Sequence, residues 1–300
     1  MTTAFILAAG YGTRLAPLTD YMPKALFPVV DKPALQLVIE RLYSHGIRNF
    51  YINAHHHARM VADFAAQRGA MFADAEVHVV VEEREILGTA GGLGNLFRVA
   101  GEPQETILIH NGDIIEDFDI AGAYEFHKSR NAAMTMILVD NPDTNSVCTD
   151  GGKVVGFSQG DGLTYSGVAF IEPAMLASFP HDKFASLTDC IKKWLGARAV
   201  YAMAQDKFWR DFGTLAQYLE LHRRILMDGE SDSAHAGARV WISPDANVHP
   251  DAEIAGFAAI GARAIIGKCK IANCIVWQET RLSHGEYYNA IVAPQTRVDI

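Results

Sequence analysis

Cysteine is scarce in this chain: there are 4 among 300 residues, Cys148, Cys190, Cys269 and Cys274. No two of them form a C-x-x-C pair, so neither the usual zinc spacing nor a disulfide framework is indicated. The expected compartment is a reduced cytoplasm. Positive charge is in deficit as well. Lys and Arg total 26 against 35 Asp and Glu, a formal net charge of −9. That balance argues against a nucleic-acid binder or a protein held on an anionic membrane, while leaving room for a local basic pocket. Long apolar runs are also missing, and none approaches the roughly 18 residues of a membrane-spanning helix. No basic segment precedes the short N-terminal apolar stretch, so no signal peptide is expected. What the chain does have is 49% apolar residues, enough for one large domain and a smaller one.

Through the first 220 or so residues, short apolar runs alternate with amphipathic stretches. The runs Thr3–Ala9, Asn49–Asn53, Val77–Val81, Thr106–His110, Ala133–Val139 and Thr164–Phe170 read as strands. Between two of them, Leu35, Val38, Ile39 and Leu42 share one helical face within 33–46, and Gly46 is a plausible stop. Such alternation predicts an α/β fold with a Rossmann-like, mostly parallel sheet and helices on both faces. In such a sheet, ligands bind beyond the carboxyl ends of the strands.

The pattern changes after a small, polar stretch, the expected linker at 229–239. Ile242, Val248, Ile254, Ile260 and Ile266 recur every six residues, and Ala246, Ala252, Ala258 and Ala264 form a second column in step with them. This hexapeptide repeat predicts a short left-handed parallel β-helix over 240–300, following a catalytic domain over 1–228.

The densest chemistry lies in AFILAAGYGTRLAPLTDYMPKALFPVVDKP, from Ala4 to Pro33. An apolar strand feeds the turn Ala9-Gly10-Tyr11-Gly12-Thr13-Arg14, and Lys24 follows ten residues later. Glycines let backbone N–H groups approach phosphate oxygens, and Arg14 and Lys24 add fixed positive charge. Leu15 stands where a dinucleotide fingerprint needs its third glycine, and the chain contains no G-x-x-x-x-G-K-[ST] run. The turn therefore reads as a cradle for a nucleoside triphosphate. Asp113 follows the strand 106–110, and Asp211 lies in Phe208-Trp209-Arg210-Asp211-Phe212-Gly213-Thr214. Taken alone, Asp113 reads as a helix cap or turn residue. Two hard carboxylates beside substrate phosphates suit Mg²⁺. Glu82-Glu83-Arg84-Glu85-Ile86-Leu87-Gly88-Thr89-Ala90-Gly91-Gly92 is too glycine-rich for an ordinary helix start and reads as either a surface loop or a segment against a nucleobase. There Glu83 could accept both donors of a guanine edge. His55-His56-His57 reads as a polar loop rather than a metal site. Glu116, Asp117 and Asp119 read as a solvated helix entry.

The pattern G-x-G-T-R-L-x-P-L-T followed by P-K resembles the signature of the sugar-1-phosphate nucleotidyltransferases, or NDP-sugar pyrophosphorylases. The resemblance extends to about residue 225 through Leu87–Gly91, Asn111-Gly112-Asp113, Tyr165-Ser166-Gly167 and Trp209–Thr214. It implies that Arg14 and Lys24 are catalytic. It also implies that Ala9, Gly10, Gly12, Thr13, Glu83, Gly88 and Thr89 hold the nucleotide. Tyr165, Ser166 and Gly167 would line the sugar pocket, and Asp113 and Asp211 would bind Mg²⁺. The implied reaction takes a nucleoside triphosphate and a sugar 1-phosphate to an NDP-sugar and pyrophosphate. The Leu-Gly-Thr-Ala-Gly run is similar to mannose-1-phosphate guanylyltransferases, many of which carry a C-terminal β-helix. Val139–Pro142 and Leu163–Gly167 are more similar to N-acetylmuramate-1-phosphate uridylyltransferases, so UTP with that sugar or a hexose 1-phosphate is the alternative. Many members carry Glu-Lys-Pro to hold the sugar phosphate. Here the corresponding stretch is Val155-Gly156-Phe157-Ser158-Gln159-Gly160.

Two other classes compete. A non-catalytic regulatory subunit of the same fold should have lost Arg14, Lys24, Asp113 and Asp211, all of which are present. An acyltransferase would use a longer β-helix and a histidine at a coil junction, for which His249 and His284 are candidates. The β-helix reads better as a homo-oligomer contact or a regulatory platform.

Overall fold

The computed structural model describes residues 1–68, 72, 74–196, 199–231 and 234–300. The chain divides into two compact units. Met1–Tyr11, Leu35–Ile114 and Phe118–Trp209 form the first, and Gly12–Ala34, Ile115–Asp117 and Arg210–Ile300 form the second.

A nine-stranded sheet organises the first unit, in the order Glu76–Val81, Asn49–Ala54, Thr3–Leu7, Ile107–Asn111, Thr164–Ile171, Met134–Val139, Val200–Ala204, Lys153–Phe157 and Val147–Asp150. Seven strands point one way, while Thr164–Ile171 and Lys153–Phe157 oppose their neighbours. The fold is therefore mixed α/β around a large, mostly parallel sheet. Strands at its centre are mostly apolar because both faces are covered. All six residues of Met134–Val139 are buried, as are Phe5, Ile107, Ile109 and Ala169 at the middle of the core. Each large aliphatic or aromatic side chain among them contributes about 1.5–3 kcal/mol through burial. The expected amphipathic helix runs over Ala34–Ser44. The strands Val147–Asp150, Lys153–Phe157 and Val200–Ala204 were not foreseen. The first two make a short edge hairpin with mixed polar faces, turning at Gly151-Gly152.

In the second unit, the segment after Tyr11 is folded into three single 3₁₀ turns, Thr13–Leu15, Leu18–Asp20 and Lys24–Leu26. A helix, Leu215–Arg223, starts at Thr214, whose hydroxyl accepts the Gln217 N–H at 3.2 Å. Beyond it, Val240–Ile242, Glu253–Ile260, Ile265–Val276 and Arg281–Ala293 stack in parallel. Val240 lies beside Ala258, Ala258 beside Cys274 and Cys274 beside Ala290, steps of 18, 16 and 16 residues. Ile260, Ile266, Ile271, Val276 and Leu282 are buried between the strands. Cys269 and Cys274 are buried in the same core and behave as small apolar residues. One position departs from the repeat: Ile242 is 39% exposed, because its strand is the first of the stack and has a neighbour on one side only. Of the expected linker, Asp232 and Ser233 lie outside the described residues. Arg239 N–H bonds back to Leu226 at 2.8 Å.

Candidate active site

In the first unit, the strand Thr3–Leu7 runs between Asn49–Ala54 and Ile107–Asn111, with Leu7 level with both Asn53 and Asn111. The three strands therefore end together, and their polar ends gather around the turn Ala8–Tyr11. Gly112 N–H donates to the Leu7 carbonyl at 2.8 Å, placing the half-buried Asp113 just past that edge. Ala9 is buried, whereas Gly10 is exposed and has open space around its α-carbon.

A chain of hydrogen bonds ties this turn to the glycine-rich segment. Ala8 N–H donates to Asn53 Oδ1 at 2.8 Å, and Asn53 Nδ2 donates to Glu82 Oε1 at 2.7 Å. Glu82 Oε2 accepts the Leu87 N–H at 2.8 Å. Both Asn53 and Glu82 are 4% exposed, so neither can exchange these partners for water. A Cβ at Gly92 would come within 2.7 Å of Asn53 Nδ2 and 3.0 Å of Glu82 Oε1. The glycine there lets the helix Gly88–Val99 rest directly on the network. His55 bridges the Glu82 carbonyl at 2.6 Å and the Tyr11 hydroxyl at 2.9 Å. The sequence reading passed over Asn53 and Glu82 and left His55 as loop. Their signal was a polar residue at the end of an apolar strand. Glu83 and Thr89 are exposed, and Gly88 takes a left-handed φ of 67°.

The expected sugar-pocket residues lie on Thr164–Ile171, at an irregularity in its pairing with Met134–Val139. Ser166 is buried, and its hydroxyl donates to the Ile137 carbonyl at 2.8 Å. The Ser166 carbonyl accepts the Trp209 indole N–H at 2.8 Å. Gly167 has φ of 87° and lies against the Asn111 side chain. The Tyr165 hydroxyl is buried with no hydrogen-bond partner among the described residues, and burial pushes its pKa up.

In the second unit, Gly12 has φ of 62° and caps the turn Thr13–Leu15, its carbonyl accepting Leu15 N–H at 2.8 Å and the Thr19 hydroxyl at 3.3 Å. Thr13 and Arg14 are exposed. Lys24 Nζ lies 2.9 Å from Asp211 Oδ1 and 4.9 Å from the centre of the Phe212 ring. A Cβ at Gly213 would come within 2.7 Å of Arg14 Nη2, so the guanidinium lies over the backbone two residues beyond Asp211. Arg14, Lys24 and Asp211 thus share one neighbourhood. Asp211 itself ends the strand Trp209–Asp211, which pairs with Ile114–Glu116.

The acidic run after Asp113 is not all solvated. Glu116 is buried on that strand, and only Asp119 matches the helix-entry expectation. Asp119 Oδ1 accepts Gly122 N–H at 2.9 Å at the start of Ile120–Ser129.

No group of three or more His, Cys, Asp or Glu that could hold a metal occurs among the described residues. Asp113, in the first unit, is half-buried, and Asp211, in the second, is 40% exposed and accepts from Lys24. Either carboxylate is of the hard-oxygen kind that suits Mg²⁺, which takes one or two carboxylates and fills its remaining positions with water and phosphate oxygens. No helix among the described residues is long and apolar enough to cross a membrane.

Comparison with known proteins adds a second line. Residues 3–147 match the family model described as nucleotidyl transferase. The chain is 30% identical over 224 residues to N-acetylmuramate alpha-1-phosphate uridylyltransferase of Neisseria meningitidis, covering 72% of this chain and 95% of that protein. It is 27% identical over 300 residues to mannose-1-phosphate guanylyltransferase of Mycobacterium tuberculosis, covering 94% of this chain and 81% of that protein. It spans 63% of the length of UTP–glucose-1-phosphate uridylyltransferase of Synechocystis. Among solved structures, HddC from Yersinia pseudotuberculosis complexed with GMP-PN matches in fold, with a TM-score of 0.62 and 24% identity, over 75% of this chain and 99% of that one.

Proposed function

Because the chain belongs to the nucleotidyl transferase family, we propose that it joins GTP to mannose 1-phosphate or a closely related sugar 1-phosphate and releases pyrophosphate. The observation that carries this reading is the Lys24–Asp211 contact at 2.9 Å with the Arg14 guanidinium packed beside it at Gly213. Two cations and a carboxylate gathered in one place suit a reaction between two polyanions.

A sugar 1-phosphate is already ionised at neutral pH, so its oxygen attacks the α-phosphorus without a general base. One P–O bond forms to the sugar phosphate, the bond between the α-phosphorus and its bridging oxygen breaks, and pyrophosphate leaves with the negative charge. Residues of this chain lower the barrier by position and charge. Backbone N–H groups of Ala9–Thr13 receive the triphosphate. Arg14 neutralises the departing pyrophosphate. Lys24 moves its ammonium from Asp211 towards the oxygens of the reacting phosphates. Asp113 and Asp211 would hold Mg²⁺, which supplies Lewis-acid neutralisation of phosphate oxygens. Gly88, Thr89 and Glu83 would face the base, and Tyr165, Ser166 and Gly167 the sugar. The Ser166 hydroxyl and carbonyl are already engaged, which leaves the Tyr165 hydroxyl, buried without a partner among the described residues, to turn towards the sugar on binding.

Guanylyl transfer is favoured over uridylyl transfer because the similarity to the Mycobacterium guanylyltransferase covers 94% of this chain. The Neisseria uridylyltransferase, at 30% identity over 72% of the chain, supports UTP with N-acetylmuramate 1-phosphate as the second reading. We read 240–300 as a short left-handed parallel β-helix joined by 229–239 to a catalytic segment over 1–228, and as an oligomer contact. The parallel steps of 16 to 18 residues support the coil. The test is pyrophosphate release from each of four nucleoside triphosphates against a panel of sugar 1-phosphates. Release with GTP and mannose 1-phosphate in clear excess over all other pairs is expected. Release with no pair would overturn the reading, and preference for UTP would replace it by the second.

A further inference from the structure

We infer that Trp277, in the C-terminal strand stack, is a positioning residue for the Lys24–Asp211 pair. The inference concerns the residues assigned to catalysis above and rests on that reading for its effect on turnover.

Two routes run from one indole to the two sides of the pair, all within the second unit. Trp277 follows the strand Ile265–Val276 and is 3% exposed. Its ring meets Phe27 edge-on, with centroids 4.9 Å apart. Phe27 closes the turn that carries Lys24, its N–H donating to the Lys24 carbonyl at 3.0 Å. Phe27 in turn stacks on Phe212 at 6.5 Å, and the Lys24 ammonium lies over the far partner, Phe212. On the second route, the Trp277 indole N–H donates to the Tyr218 hydroxyl at 3.2 Å. Tyr218 donates to the Pro28 carbonyl. Its own backbone N–H bonds Thr214 at 2.9 Å, at the start of the helix that follows Asp211. His222, one turn along that helix, accepts the Val30 N–H at 3.0 Å.

An apolar side chain at 277 would fill the space. It would not supply a donor whose direction fixes Tyr218, and through Tyr218 the distance between Pro28 and the helix. Buried indole and phenol groups need partners, and here each partner belongs to a different element. The segments bearing Lys24 and Asp211 are therefore held in register by a residue far along the chain.

Two variants of the full chain test this, Trp277→Ala and Trp277→Phe, with Ile266→Ala as a control that empties the core of the same stack. Lys24 is first followed without any substrate, by its rate of acetylation with an activated ester and peptide mass mapping. In the native protein, the Lys24 side chain is 12% exposed and paired, against 54% for Lys192. Trp277→Ala should speed labelling of Lys24 by about 5-fold or more, the scale of losing roughly one interaction of hydrogen-bond strength. Labelling of Lys192 should stay unchanged, and Ile266→Ala should leave Lys24 protected. Trp277→Phe should give a smaller change in the same direction. Unchanged labelling in both Trp277 variants, or equal labelling in Ile266→Ala, overturns the proposal.

Turnover then reads the coupling. Trp277→Ala should lower kcat by about 10-fold with both KM values within about 3-fold, a loss confined to the transition state. In a Lys24→Met background, it should cost less than about 2-fold, because residues acting as a unit are not additive. Equal losses in both backgrounds overturn it. A native protein that labels as expected but releases no pyrophosphate would refute the proposed reaction and leave the positioning role standing.

Discussion

Replacing Lys24 by Met keeps the stem that packs between Gly12 and Phe212 and removes only the ammonium. The structure separates its two costs. Asp211 loses its partner, but its side chain is 40% exposed, so water takes over the carboxylate. Screening reduces the stability cost of such a pair to about 1 kcal/mol or less, a fall in Tm of about 2 °C for a chain of this size. In the reaction, the same ammonium meets charge that develops only as pyrophosphate leaves, and one preorganised charge of that kind is worth about 10²-fold or more in turnover. Lys24→Met should therefore melt almost like the native protein while kcat falls by about 100-fold or more. Thermal denaturation followed by circular dichroism, paired with steady-state pyrophosphate release at saturating substrates, measures both. Turnover within about 3-fold of the native value would refute the reasoning, as would a kcat loss explained by the fraction unfolded at the assay temperature.

Other consequences follow from the buried groups. His222 is fully buried and accepts a backbone N–H, and burial lowers its pKa from 6.5 to about 4. The unfolded chain therefore binds the proton more readily than the folded one. Stability should be full above about pH 6.5 and fall by about 3 kcal/mol as pH drops from 6.5 towards 4; His222→Gln should flatten that slope in urea titrations, and an unchanged slope would place the acid sensitivity elsewhere. Asn53→Leu strands the Ala8 N–H and the Glu82 carboxylate in the interior. It should cost about 2–3 kcal/mol of stability and raise KM for the nucleotide more than KM for the sugar phosphate; equal KM values for the native and variant proteins would show that the network does not shape the turn. Tyr165→Phe removes a buried hydroxyl that has no partner among the described residues, so the melting temperature should hold or rise. If that hydroxyl serves the sugar, KM for the sugar 1-phosphate should rise about 5-fold, the value of one hydrogen bond, and an unchanged KM would remove Tyr165 from the pocket.

The parts legible in the sequence were those with strong local signals. The apolar centre strands, the helix at Ala34–Ser44 and the residues of the glycine turn stood out because burial on both faces, helical spacing and phosphate chemistry each leave a mark of their own. Arg14, Lys24 and Asp211 could be named from motif context, but not their mutual arrangement, since Lys24 and Asp211 are 187 residues apart in sequence. The edge hairpin Val147–Phe157 was missed because its polar, Gly-containing pattern also fits a loop. Glu116 was misjudged because an acidic residue in a charged stretch reads as solvated, and Glu82 was passed over in such a stretch; only the tertiary fold reveals that both are buried. Ile242 fits the repeat perfectly, yet its strand lies at the end of the stack. The roles of Phe27, Tyr218 and Trp277 had no sequence signal beyond their aromatic character, because three separate elements must meet before those rings touch.

Phosphorus-31 NMR of the native protein with GTP, mannose 1-phosphate and Mg²⁺ tests the reaction most directly. Pyrophosphate and a nucleoside diphosphate sugar should accumulate in equal amounts, and neither should form when Lys24→Met replaces the native chain over the same interval. Orthophosphate as the only product, or no consumption of the triphosphate with any sugar 1-phosphate, would contradict it.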